Sequence, residues 1–125
     1  MTWRVAFHDE FEPEFAALAL EVRRELLAHA RLLETYGPQL KRPHADTLKG
    51  SRFDNMKELR FRANDGVWRV AFAFDPRRLG ILLVAGDKAG GSERRFYANL
   101  IARADRRYAA HLAGQARKQG GGDRG

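Results

Sequence analysis

The chain contains no cysteine, so a disulfide framework, thiolate zinc ligation and a cysteine nucleophile are all excluded, and a reducing compartment fits. No run of eighteen apolar residues occurs anywhere, and the N-terminal "MTWRVAFHDEFEPEF" carries acids where a signal peptide needs an uninterrupted apolar stretch. The expectation is a cytoplasmic protein with no membrane partner. Serine is scarce: Ser51 and Ser92 are the only two, neither lies in a nucleophile-elbow context, and Ser92 reads as a helix cap. His8, His29, His44 and His111 are far apart, without metal-ligand spacing to an acid or to one another. No metal and no cofactor are expected.

What is abundant is positive charge. Twenty-three Lys plus Arg stand against 16 Asp plus Glu, a formal net charge of +7, with arginine in the majority. A planar guanidinium fork suits phosphate better than a lysine point charge, so nucleic acid is the obvious partner, with a solvated basic surface as the plain alternative. At 125 residues the length suits one domain burying roughly two thirds of its unfolded surface.

"TWRVAF" alternates with period two and predicts a short first strand. Asp9 can cap a helical region in which Pro13 suits only a first turn or a break, so either a helical hairpin or one long helix from near Glu14 follows. Its apolar stripe is Phe15, Leu18, Ala19, Val22, Leu26, Ala30 and Leu33, and "YGPQL" stops it through Gly37 and Pro38. Residues 37–52 have no usable period and read as a long surface loop. Three strands follow at about 56–63, 67–74 and 80–86, joined by the turn chemistry of "ANDG" and "DPRR" into an antiparallel meander. A capped, basic amphipathic helix runs from Ser92 to about Leu112, and the glycine-rich tail, residues 114–125, reads as disordered beyond a domain spanning 1–113. The fold class is α+β.

In the first two strands of the meander, Arg60, Arg62 and Arg69 fall opposite the apolar sets Leu59/Phe61 and Trp68/Val70. Hairpin pairing brings Arg60 and Arg69 to one side of the sheet, where like charges repel unless something anionic visits. The competing explanation is edge charge that guards against aggregation. Lys88 leaves the third strand beside this pair, and neighbouring positive charge would favour its neutral form and a proton-carrying role. "AGDKAGG" lacks the phosphate-loop pattern and decides nothing alone.

The ordered series "LKGSRFDNMKELRF", "DGVWRVAFAFD", "ILLVAGDKAG" and "RFYANLIARADRRYAAHL" resembles toxins of the RelE superfamily, in the HigB-like, phage-derived branch of type II toxin-antitoxin systems. The resemblance implies a RelE-like fold, cleavage of messenger RNA on the ribosome, and inhibition by a helix-turn-helix antitoxin. It assigns Arg69 to the scissile phosphate, Arg60 to the "ELR" of the branch, Lys88 to the basic residue ending the next strand, and Tyr97 to a tyrosine that stacks on or activates RNA. Arg52, Lys57, Arg62, Arg94 and Arg95 would hold the RNA backbone. Met56 and Glu58 occupy outward positions where several relatives carry lysines, so the general base stays open. The implied chemistry is metal-free attack by the 2′-hydroxyl on the adjacent phosphorus. A gyrase poison of the same fold, or a non-catalytic nucleic-acid or antitoxin-binding module, is the alternative.

Overall fold

The computed structural model describes residues 2–122, with side chains through residue 118. Its elements in chain order are β1 (Arg4–Phe7), α1 (Phe11–Ala16), α2 (Leu20–Tyr36), a single 3-10 turn at Gly37–Gln39, β2 (Ala45–Thr47), β3 (Lys57–Ala63), β4 (Gly66–Phe74), β5 (Leu79–Asp87) and α3 (Glu93–Gly122). They form one five-stranded sheet in the order β1-β5-β4-β3-β2, with β1 parallel to β5 and the remaining pairs antiparallel.

The meander forms where strict alternation and turn chemistry agree. Asn64 and Asp65, both at positive φ (51° and 61°), make the two-residue connection that matches strand twist, and Ala63 faces Gly66 across it. A β-bulge at Ala71/Phe72 then shifts the β4–β5 register. Helix α2 ends at Gly37 (φ 58°), whose N–H reaches the Leu33 carbonyl; a Cβ there would collide with the Trp3 indole, so a side chain is excluded by space as well as by conformation.

Both faces of the sheet are covered. On one side α1 and α2 set Phe11, Val22, Leu26 and Leu33 against Leu59, Val70, Phe72 and Leu82. On the other, Leu100, Ala104 and Tyr108 of α3 pack on Ala71, Ala73, Leu83 and Val84. The arginine-bearing face expected to lie open is therefore roofed by α3 over much of its area, because the small Ala71 and Ala73 let that helix approach.

Of the two helical alternatives the structure has the pair of helices, with Pro13 in the first turn of α1 and a break at Ala17–Ala19 where the Arg23 side chain donates to the Leu18 carbonyl (3.0 Å). Several other expectations need correction. Asp9 caps nothing; the His8 carbonyl accepts the Phe11 and Glu12 N–H groups instead. The segment 37–52 is no bare loop. Ala45–Thr47 pairs with β3, and Leu40, Ala45 and Leu48 are buried, which anchors it by long-range packing that a three-residue strand cannot announce. Met56 is wholly buried in the α3-side core rather than turned outward. The tail expected to be disordered from residue 114 continues α3 to Gly122, held by Gln115 donating to the buried Asp75 carboxylate (2.6 Å); residues 123–125 lie outside the described residues.

Candidate active site

Strands β3 and β4 place Arg60 and Arg69 directly opposite each other, on the α3 side of the sheet. Glu58, two residues before Arg60 and hence on the same face, fills the space between them. Its Oε2 accepts from Arg60 Nη1 at 2.7 Å, and its Oε1 lies 3.9 Å from Arg69 Nε. Tyr97, one turn into α3, completes the group: its hydroxyl accepts from Arg69 Nε (3.2 Å) and donates to Glu58 Oε1 (2.9 Å). Arg69 also donates through Nη1 to the Trp68 carbonyl (2.9 Å), which fixes the guanidinium plane.

Glu58 and Arg69 are buried, whereas Arg60 keeps a fifth of its side-chain surface exposed, so Arg60 is the arginine that solvent or a ligand meets first. The arginine pair is consequently not the uncompensated charge expected from alternation alone: one buried carboxylate serves both. Glu58 is the functional candidate that alternation could place on this face but could not join to Tyr97, 39 residues away. Burial, the strongest influence on Tyr97, raises the pKa of its hydroxyl, and the Glu58 charge adds to this against the opposing Arg69 hydrogen bond. The phenol is therefore protonated at neutral pH.

Arg60, Arg62 and Arg69 line a cleft of about 440 Å³ together with Glu25, His29 and His44. Here the histidines expected to be isolated come together. His29, its ring tilted by 34° to that of Phe61, places Nε2 3.3 Å from His44 Nδ1 and sets its own Nδ1 3.0 Å from the Glu25 carbonyl oxygen. Chain separation hid this pairing. Among the described residues no group of three or more His, Cys, Asp or Glu side chains is arranged to hold a metal ion.

The remaining expected residues divide. Lys88 stands with its ammonium 5.8 Å from the centre of the Tyr97 ring and donates to the Glu93 carboxylate (2.7 Å). Lys57 lies on the opposite sheet face and donates to the Pro38 carbonyl (2.9 Å), away from the arginine pair. Arg52 is exposed over the Phe53 ring, its backbone N–H bonded to Asp105 of α3. Arg94 and Arg95 are exposed on the first turn of α3, which Ser92 caps by accepting the Arg95 N–H (3.2 Å). Arg107, further along this basic helix, is buried and forked onto Glu14.

Comparison with known proteins places this geometry. Residues 13–109 match the family model described as phage derived protein Gp49-like. HigB3 of Mycobacterium tuberculosis, a protein named as a toxin, is 43% identical over 113 residues, covering 90% of this chain and 94% of that protein. HigB2 of the same organism, also named as a toxin, is 45% identical over 89 residues, which is 70% of this chain and 44% of that longer protein. The solved structure of an arginine double mutant of the E. coli toxin RelE in the free state superposes with a TM-score of 0.60 at 14% identity, covering 82% of this chain and 96% of that one, which speaks to the fold. With its family model and its relatives in agreement, the chain belongs to the Gp49-like, phage-derived family and is a HigB-like toxin, built on a RelE-like fold.

Proposed function

We propose that this toxin of a toxin-antitoxin system is an endoribonuclease that cuts messenger RNA by 2′-hydroxyl attack, with Glu58, Arg60, Arg69 and Tyr97 as its catalytic group. The observation that carries this reading is the bridged set itself: a carboxylate flanked by two guanidinium groups and a protonated phenol, with both arginines lining a cleft that also holds Arg62.

Phosphodiester cleavage of this kind needs a base, a sink for charge on the phosphorane, and an acid. Glu58 takes the 2′-hydroxyl proton as the 2′-oxygen bonds to phosphorus. Arg60 and Arg69, already paired across the ladder, turn toward the non-bridging oxygens and absorb their developing charge, a role typically worth about a hundredfold in rate per well-placed donor. As the bond from phosphorus to the 5′-oxygen breaks, Tyr97 gives its proton to that oxygen. The Glu58–Tyr97 hydrogen bond then returns the proton Glu58 had taken, so the products are a 2′,3′-cyclic phosphate and a 5′-hydroxyl with the enzyme restored. Arg62, Arg52, Arg94 and Arg95 supply the salt-sensitive hold on the RNA backbone. The ribosome presents the message, and an antitoxin encoded beside the gene, carrying acidic segments that suit the +7 chain, holds the toxin inactive.

Induction of the chain without its antitoxin, followed by transcript-end mapping, tests this reading. Growth arrest with new 5′-hydroxyl ends in messenger RNA supports it. Arrest with intact transcripts and broken DNA would transfer the chain to gyrase poisoning, and RNA binding without cleavage would leave it a binding module.

A further inference from the structure

The charge that Glu58 balances in the active-site cleft is left unbalanced at the far end of the sheet. A cavity of about 650 Å³ lies between β1, the turn that opens β5 and the last turns of α3. Its cations come from three separate places: Arg4 on β1, Arg77 in the β4–β5 turn, and Arg117 and Lys118 on α3. Among the described residues none of these four side chains forms an ion pair. Asp9 and Glu10 line the same cavity, so four cations against two acids leave an excess of two positive charges.

Two imidazoles add directional groups. His8 Nδ1 accepts the Glu10 N–H at 3.1 Å, which puts the proton of the neutral ring on Nε2 as a donor. His111 is held through Nε2, 2.8 Å from the Asp75 carboxylate, and its other ring nitrogen has no partner among the described residues. Asp75 is itself buried and anchored by Gln115 and by the Arg77 and Leu79 N–H groups, so the imidazole sits on a rigid support. The rest of the lining is apolar, from Ala6, Phe7, Leu79, Ile81 and Ala110, and at Gly114 even a Cβ would meet nothing.

We propose that this cavity is a second ligand site, distinct from the RNA-cleaving cleft, and that it takes a phosphomonoester of nucleotide size. A terminal phosphate carries close to two negative charges near neutral pH, matching the excess of the lining, and the arginine forks suit its oxygens. A cavity of about 650 Å³ is far larger than a phosphate and falls in the range of small-molecule sites, so the apolar wall beside the cations accommodates the nucleoside. The ligand chemistry is shared by a free mononucleotide and by the 5′-phosphorylated end of an RNA.

Calorimetric titration of the full chain separates these sources, using AMP, adenosine, and a trinucleotide with either a 5′-phosphate or a 5′-hydroxyl. AMP should bind at one site and adenosine should not. The double variant Arg77→Gln/Arg117→Gln, whose side chains form no ion pair among the described residues, should bind AMP about tenfold more weakly or worse with an unchanged thermal melt. If that variant melts early, Arg117→Gln alone, on the exposed side of α3, should still weaken binding severalfold. A 5′-phosphorylated trinucleotide binding as tightly as AMP assigns the site to RNA ends, and AMP alone assigns it to the free nucleotide. Absence of AMP binding, binding that survives these substitutions, or binding abolished by Arg60→Ala, which would move the ligand to the first cleft, overturns the proposal.

Discussion

Arg60 and Arg69 are register partners on adjacent strands, and a single carboxylate, Glu58, reaches both of them. Two guanidinium groups facing one another across a ladder would repel; the acid between them offsets that repulsion. On the nuclease reading proposed above, the same acid is the base and must release Arg60, its closer and more exposed partner, when a phosphate arrives.

Glu58→Gln keeps the shape and most of the hydrogen bonding of the bridge while removing its charge and its basicity. Loss of a positioned base should lower the rate of RNA cleavage by roughly 10²–10⁴. Leaving two arginines without their shared counter-charge should cost about 1–3 kcal/mol of stability. Cleavage assays on a defined RNA, run beside urea melts, measure both. A near-normal rate in a folded variant would remove Glu58 from the chemistry.

Arg107 joins the two sides of the sheet. Its fork meets Glu14 of α1 at 2.9 and 2.6 Å and the Leu83 carbonyl at 2.8 Å, and the Arg107 hydrogen bond is the largest influence holding the Glu14 carboxyl below its usual pKa. Lysine cannot reproduce that bidentate geometry. Arg107→Lys should therefore destabilise the protein by about 1–3 kcal/mol in urea titration, with Glu14 partly exposed and the ion pair itself contributing little of this. Cleavage at a temperature where the variant is folded should be unaffected.

Asp75 sets an acid limit on stability. Burial pushes its carboxyl up, but the hydrogen bonds from His111, the Leu79 N–H, Gln115 and the Arg77 N–H outweigh it, so the pKa lies below the ordinary value. A carboxyl depressed in the folded state contributes stability that is complete above its unfolded pKa, near 3.9, and is lost as pH falls through the folded one. Asp75→Asn should cost about 2–3 kcal/mol at pH 7. Urea unfolding should then find the gap to wild type narrowing below about pH 4.

Much of this molecule was legible in its sequence, and the exceptions share a cause. The meander could be read because period-two alternation and the Asn64–Asp65 turn are local signals, and they were enough to predict that Arg60 and Arg69 share a face. The segment Ala45–Thr47 has too few residues for a period and becomes a strand only through its pairing with Leu59, Glu58 and Lys57. The helical continuation past Gly114 depends on Gln115 finding Asp75, 40 residues earlier, against the low helix propensity of glycine. At the site, alternation put Glu58 beside Arg60, but the bond to Tyr97 required knowing how α3 crosses the sheet, and the His29–His44 contact required knowing where the loop after α2 returns. Side chains joined by tertiary packing leave no spacing to read.

The most direct measurement is the end chemistry of a defined messenger RNA incubated with the purified toxin in the presence of EDTA, for wild type, Glu58→Gln and Arg69→Ala. The account predicts 2′,3′-cyclic phosphate and 5′-hydroxyl ends with wild type, and a fall of about a hundredfold or more in cleavage by each variant under conditions where circular dichroism finds it folded. Products ending in 5′-phosphate, or undiminished cutting by Arg69→Ala, would contradict it.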